Sequence, residues 1–125
     1  MRLLLDTHIV LWWMSGDPAL PMPARDAIIR LDADVFVSAA TTWEIAIKQA
    51  LGKLAFPVDR IEAMLEEAGF EPLAIQVAHT MRAGALPPLH HDPFDRLLIA
   101  QAQHEGMTLV SIDPQVRRYA VPTIG

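Results

Sequence analysis

The chain has 125 residues, of which 52% are hydrophobic and 20% charged, so it can build the core of one compact domain over residues 1–125, and disorder is excluded. It contains no cysteine, which excludes disulfides and thiolate sites, and its formal net charge of −5 counts against a nucleic-acid partner unless some acids are neutralised. No apolar run reaches the roughly 20 residues of a membrane-spanning helix, and Asp6 comes too early for a signal peptide, so we expect a cytoplasmic protein with no membrane partner.

Short apolar runs alternate along the chain with longer stretches of helical periodicity. In chain order, the pattern predicts strand 3–5, helices 7–14 and 23–32, strand 35–38, helices 39–51 and 58–69, strand 72–75, helices 76–85 and 94–105, strand 108–111, a short helix after Asp113, and strand 121–124. Alternation in short units favours a parallel sheet with helices on both faces. The sequence therefore predicts an α/β fold with four or five central strands.

Four acids fall where such a sheet forms its sites, which is beyond the carboxyl ends of the strands. Asp6 follows the first strand, Asp113 follows strand 108–111, and Glu44 lies early in the helix after strand 35–38. Asp95 joins them because the helix that leads into a strand begins at that strand's carboxyl end. Asp95 and Glu44 also share helix faces with apolar residues, and an ionised carboxylate held near the protein body needs a partner. Together the four acids predict a divalent-metal site.

Each acid also has an ordinary structural explanation. Asp6 and Asp113 are suited to cap the helices that follow them. Asp92 is suited to cap the helix 94–105, and Glu44 can form an ion pair with Lys48 four residues later. Taken singly, these acids do not predict a site; the prediction depends on their convergence at one edge.

Four segments carry a resemblance to a known family. They are LLLDTHIVLWW from Leu3, VSAATTWEIAIKQALGKL from Val37, HHDPFDRLLIAQAQ from His90 and LVSID from Leu109, in this order over nearly the whole length. The chain resembles the PIN-domain family, specifically the VapC-type toxins of bacterial toxin–antitoxin pairs. The resemblance implies a three-layer α/β/α sandwich and a Mg²⁺- or Mn²⁺-dependent endoribonuclease. It also implies a homodimer, and a cognate antitoxin that occupies the active-site groove.

The resemblance also implies a particular site. The family's acidic constellation falls on Asp6, Glu44, Asp95 and Asp113. Ser111 matches a hydroxyl position that often supports the site, and Thr7 is suited to the same task. Asp92 is ambiguous, since it can reach the metal through water or cap the helix, and we expect the cap. Carboxylates that share divalent ions would remove most of the net charge of −5 and so weaken the objection to an RNA substrate.

Several basic residues and histidines are candidates for contacts with the RNA substrate. Lys48 and Arg96 are each close in sequence to an expected ligand and could contact RNA phosphates, although a solvated helix face explains them equally well. The five histidines lack the paired spacing of zinc motifs. His90 and His91, on the loop 86–92, could flank an RNA groove.

Three rival functions remain in view. A haloacid-dehalogenase-like phosphatase also has an acid after its first strand, but it needs a second acid two residues later, where this chain has His8. A phospho-receiver module needs paired acids after the first strand, which this chain lacks. A PIN-like protein that binds RNA or a partner without cutting would have the same sequence features. We therefore predict a metal-dependent ribonuclease toxin, with the non-cleaving module as its main alternative.

Overall fold

The computed structural model describes residues 1–125 and contains five strands and six α-helices. The strands are β1 (Arg2–Leu5), β2 (Asp34–Ser38), β3 (Glu71–Leu73), β4 (Thr108–Val110) and β5 (Thr123–Ile124). The helices are α1 (Thr7–Ser15), α2 (Met22–Ile28), α3 (Ala39–Ala50), α4 (Ile61–Glu67), α5 (Val77–Ala85) and α6 (Pro93–Glu105).

The five strands form one sheet in the order β3-β2-β1-β4-β5, and every neighbouring pair is parallel. In the central strand, Leu4 lies opposite Phe36 of β2 and Leu109 of β4. Because all the strands run the same way, their carboxyl ends meet at one edge of the sheet. The loops that leave this edge carry the residues on which the functional argument depends.

Side chains alternate across β1 and divide the core into two apolar clusters. Leu3 and Leu5 belong to the cluster shared with α1, α2 and α4, whereas Leu4 belongs to the cluster shared with α6. All three side chains are fully buried, and each contributes roughly 1.5–3 kcal/mol of burial free energy. The sheet is thus covered on both faces, and the predicted α/β/α sandwich with a central parallel sheet is confirmed.

The element bounds differ from the sequence prediction at a few ends. The helix predicted over 23–32 ends at Ile28, since the chain turns where the N–H of Ala33 donates to the carbonyl of Arg30 at 3.1 Å. The segment 58–69 begins with a single 3₁₀ turn (Val58–Arg60), and the helix expected after Asp113 is likewise a 3₁₀ turn (Val116–Arg118). None of the helices is long and apolar enough to cross a membrane.

Candidate functional site

Asp6 lies at the junction of β1 and α1 and is 6% exposed. Its Oδ1 accepts a hydrogen bond from the backbone N–H of Ile9 at 3.3 Å, so Asp6 caps α1 as the structural explanation expected. Its Oδ2 accepts a hydrogen bond of 2.5 Å from the Ser111 hydroxyl. Burial raises the pKa of Asp6 above its usual value of 3.8, and the bond from Ser111 opposes that rise. The cap and a place in the acidic site are therefore compatible.

Ser111 connects Asp6 to Asp113. It follows β4 and is fully buried, and its Oγ also accepts a hydrogen bond of 3.1 Å from the backbone N–H of Asp113. The Asp113 side chain accepts from the N–H of Gln115 at 2.9 Å, which holds the turn that follows the strand. A hydroxyl at this position therefore positions two acids that are separated by more than a hundred residues in the chain.

Asp95 joins these acids from the first turn of α6. Asp92 caps that helix, as expected, by accepting hydrogen bonds from the N–H groups of Phe94 at 2.9 Å and Asp95 at 3.1 Å. Burial, and then the negative charges of Asp92, Asp113 and Asp6, raise the pKa of Asp95 to about 6, although a hydrogen bond with His90 opposes the rise. Asp95 is therefore close enough to Asp6 and Asp113 to be affected by the negative charge of each.

Glu44 reaches the same edge from α3 and is 7% exposed. The hydroxyl of Thr7, the residue after Asp6, donates to Glu44 Oε1 at 2.6 Å. Lys48 Nζ lies 3.0 Å from Glu44 Oε2, which is the ion pair that the spacing in the sequence suggested. Glu44 is thus linked to the aspartates through Thr7, and it differs from them in having a positive charge beside it.

Arg96 differs from the expectation that it contacts RNA phosphates. Its guanidinium donates to the carbonyl oxygens of Pro87 at 2.8 Å, Leu86 at 3.0 Å and Ala83 at 3.1 Å. It also donates to the Tyr119 hydroxyl at 3.1 Å. Both terminal nitrogens are therefore engaged within the protein, where they hold the loop between α5 and α6.

His90 is a residue whose position the sequence did not reveal. The sequence suggested only that it could flank an RNA groove; in the structure its Nε2 lies 3.3 Å from Asp95 Oδ2 and its Nδ1 lies 2.7 Å from the Tyr119 hydroxyl. His91, beside it, is exposed. Only the five-residue separation of His90 from Asp95 could have suggested this contact.

A second group of ligand-type side chains lies at the far end of α6. His79, His104 and Glu105 have nitrogen or carboxylate oxygen atoms within 4.8 Å of one another. His79 is fully buried, and its Nδ1 accepts a hydrogen bond of 3.0 Å from the backbone N–H of Gln76. The proton of the neutral ring is therefore on Nε2, 3.7 Å from Glu105 Oε1. That nitrogen has no lone pair to offer a cation, and this group fits a buried structural histidine better than a metal site.

Comparison with known proteins agrees with this arrangement. The family model described as PIN domain matches residues 3–122. Ribonuclease VapC22 of Mycobacterium tuberculosis is 34% identical over 123 residues, covering 95% of this chain and 92% of that protein. The chain therefore covers nearly the whole length of a ribonuclease relative.

Solved structures share the fold at lower identity. VapBC2 from Rickettsia felis, solved bound to a DNA fragment from its promoter, superposes with a TM-score of 0.69 at 17% identity and covers 98% of this chain and 97% of its own. VapBC-1 from nontypeable Haemophilus influenzae gives a TM-score of 0.68 at 18% identity, with 98% and 96% coverage. From the family model and the ribonuclease relative together, this chain belongs to the PIN-domain family.

Proposed function

We propose that this chain is a Mg²⁺- or Mn²⁺-dependent endoribonuclease that acts as the toxin of a toxin–antitoxin pair. The observation that supports this most directly is the convergence of Asp6, Asp95 and Asp113 at the carboxyl edge of a PIN fold, where burial first, and then the negative charges of Asp92, Asp113 and Asp6, raise the pKa of Asp95 to about 6. A relative that is 34% identical over 95% of the chain is a ribonuclease, which supports RNA as the substrate.

The donor set fits a hard divalent cation. All the converging ligand atoms are carboxylate oxygens, which Mg²⁺ and Mn²⁺ prefer, and mutual repulsion among them would be relieved by a positive ion. Asp6, Asp95 and Asp113 would hold that ion, with Glu44 completing the acidic set. Such an ion supplies positive charge for the phosphodiester transition state and makes water nucleophilic at neutral pH.

The remaining groups at the edge have supporting tasks. Ser111 holds Asp6 by donating to Oδ2 and holds the backbone of Asp113 by accepting from its N–H, so it fixes the spacing of two ligands. Thr7 holds the Glu44 side chain by donating a hydrogen bond to its Oε1. Asp92 acts as the helix cap and adds negative charge near Asp95. Pre-positioned carboxylates bind a cation without the entropy cost of assembling them.

Lys48 is the basic residue best placed to meet RNA. It is partly exposed and pairs with Glu44 at the edge of the acidic set. If a cation takes over the charge of Glu44, the ammonium group becomes free to meet a phosphate. Neutralisation of the acids by bound cations would also weaken the objection raised by the net charge of −5.

The biological setting follows from the relatives. VapBC2 and VapBC-1 are among the structures that share this fold over nearly the whole chain. These neighbours support a cognate antitoxin as the protein partner. The homodimer and the cytoplasmic location that the sequence suggested remain part of the proposal. The alternative of a haloacid-dehalogenase-like phosphatase needs a second acid two residues after Asp6, where this chain has His8.

The experiment that tests the function compares RNA cleavage by the wild type, Asp6→Asn and Asp26→Asn with Mg²⁺ or Mn²⁺. Asp26 lies exposed on α2 and provides a matched loss of one carboxylate away from the site. We expect cleavage by the wild type and Asp26→Asn, and its loss in Asp6→Asn and after chelation. RNA binding without cleavage by the wild type would favour the non-cleaving module instead.

A further inference from the structure

The imidazole of His90 lies between Tyr119 and Asp95 at the entrance of the acidic site. Its Nδ1 is 2.7 Å from the Tyr119 hydroxyl oxygen, and its Nε2 is 3.3 Å from Asp95 Oδ2. The His90 side chain is 11% exposed and that of Asp95 is 21% exposed. The ring therefore makes one polar contact on each side in a partly dry environment, where hydrogen bonds are stronger than in water.

The hydrogen bonds at Tyr119 determine which ring nitrogen carries the proton. The hydroxyl oxygen accepts from the backbone N–H of His90 at 3.2 Å and from Arg96 Nη1 at 3.1 Å, and neither group can act as an acceptor. The hydroxyl proton is therefore left for His90 Nδ1, which must accept it. In the neutral ring the proton is then on Nε2, which donates to Asp95 Oδ2.

Arg96 fixes the position of this chain of hydrogen bonds. Its guanidinium donates to the carbonyl oxygens of Leu86 and Pro87 in the loop that carries His90, and to that of Ala83 in the last turn of α5. Arg96 also follows Asp95 directly in α6. The Arg96 side chain thus connects the loop, the Tyr119 hydroxyl and helix α6, which carries Asp95. The His90 ring is therefore already held in place, and little rotamer entropy would be lost when a cation binds.

We propose that His90 is a positioning residue for Asp95, in a tautomer set by Tyr119, and that its Nε2–H orients the carboxylate toward the cation. The proposal rests on the proposed function, since it assigns Asp95 a cation to hold. No side chain or backbone N–H bonds to the other carboxylate oxygen, Oδ1, which is therefore the atom presented to the ion.

The first test measures Mn²⁺ affinity by electron paramagnetic resonance of the free ion. His90→Leu removes the N–H and should weaken affinity by about 10-fold, as is typical when the partner of a metal ligand is lost. His90→Gln retains an N–H at the ε position and should recover most of that loss. His91→Gln, a change at the exposed neighbouring histidine, should bind as the wild type does.

Melting temperatures of the ion-free variants separate this role from a purely structural one. We expect His90→Leu and His90→Gln to melt together, while their Mn²⁺ affinities differ. Equal affinity in the wild type and His90→Leu, or equal losses in His90→Leu and His90→Gln, would overturn the proposal. A wild type that binds no Mn²⁺ at all would instead overturn the proposed function.

A second measurement does not depend on metal or RNA. Side-chain nitrogen NMR of the ion-free wild type, at a pH where the imidazole is neutral, should find the His90 proton on Nε2. In Tyr119→Phe, which removes the hydroxyl that donates to Nδ1, the ring should populate both tautomers. A wild-type ring with its proton on Nδ1 would contradict the assignment.

Discussion

The two ends of α6 carry similar residue types with opposite consequences. At its start, Asp95 lies among acids whose charges are not matched by nearby cations. At its end, His104 and Glu105 meet the buried His79 within ligand distance of one another. The ligand-type atoms at this second end lie within 4.8 Å of one another without forming a favourable cation site, so proximity alone does not make one.

The difference is in the lone pairs and the charge. The Nδ1 lone pair of His79 is used by the backbone N–H of Gln76, and its Nε2 carries a proton. Asp95 has one carboxylate oxygen that accepts no hydrogen bond, and three negatively charged neighbours. Because the site is partly buried, ionising these carboxylates without a cation costs free energy. The comparison teaches that a metal centre needs uncompensated charge with free lone pairs, and the following predictions test it.

The largest effect is expected on catalysis. Asp95→Asn removes a charged ligand and should lower the initial rate of RNA cleavage by roughly 100-fold or more at fixed Mn²⁺. His104→Gln, at the other end of the helix, should cleave as the wild type does. Comparable losses of cleavage in the two variants would show that catalysis does not depend specifically on the Asp95 end of α6, which would contradict the proposal.

Metal binding should increase the thermal stability of the folded protein. An ion at about 100 times its dissociation constant adds about 2.7 kcal/mol to the free energy of unfolding, which raises the melting temperature by roughly 5–10 °C. Differential scanning calorimetry with and without Mn²⁺ should find this increase in the wild type and in Glu105→Gln. Most of it should be lost in Asp95→Asn, and its persistence there would count against Asp95 as a ligand.

The pH dependence of the ion-free protein tests the crowding of the acids. Because the folded pKa of Asp95 is raised from 3.8 to about 6, the folded protein keeps a proton that the unfolded chain has already released. The free energy of unfolding should therefore fall as the pH rises from 3.8 to about 6, and the penalty stays in full above that window. The buried Asp6, whose pKa is also raised, acts in the same direction.

Asp95→Asn should flatten this decline. We expect the variant to gain about 1 kcal/mol over the wild type near neutral pH, less than the full shift implies because the carboxylate is partly exposed. Urea denaturation at several pH values in the presence of a chelator measures the difference. An identical pH dependence in both proteins would show that Asp95 is not under electrostatic strain.

The smallest effect is expected at Lys48, the positive charge beside the one acid that has such a partner. Lys48→Gln should weaken RNA binding a few-fold and reduce the slope of log affinity against log salt by about 1. Thermal stability should change by less than about 1 kcal/mol, since the pair is partly exposed. Lys53→Gln provides the control, and an equal loss there would indicate a general charge effect.

Local patterns predicted much of this molecule because they depend on neighbours in the sequence. The apolar run Leu3–Leu5 predicts a buried strand, and Asp92 predicts a helix N-cap, whatever the tertiary arrangement of the chain. Parallel connectivity then brings the carboxyl ends of the strands to one edge, so the region of Asp6, Asp95 and Asp113 could be anticipated. The ion pair between Glu44 and Lys48 was predictable for the same reason, since both lie on one helix.

Contacts between distant residues could not be predicted in this way. His90 meets Tyr119 across 29 residues, and Arg96 donates to the carbonyl oxygens of Leu86 and Pro87 in the loop before α6. From the sequence, Arg96 could contact RNA or lie on a solvated helix face, and His90 could flank a groove, because nothing local reveals the direction of either side chain. For the same reason, the sequence did not predict that His79 lies beside His104.

The sequence by itself determined the layered α/β architecture and the edge at which the acids collect, because periodicity and chain direction are local properties. Only the tertiary structure decided which of those acids are left without a compensating charge. That outcome depends on where Lys48, His90 and Ser111 direct their hydrogen bonds once the sheet has assembled. The balance between burial and partners, rather than the presence of acids, distinguishes this edge from the other end of α6.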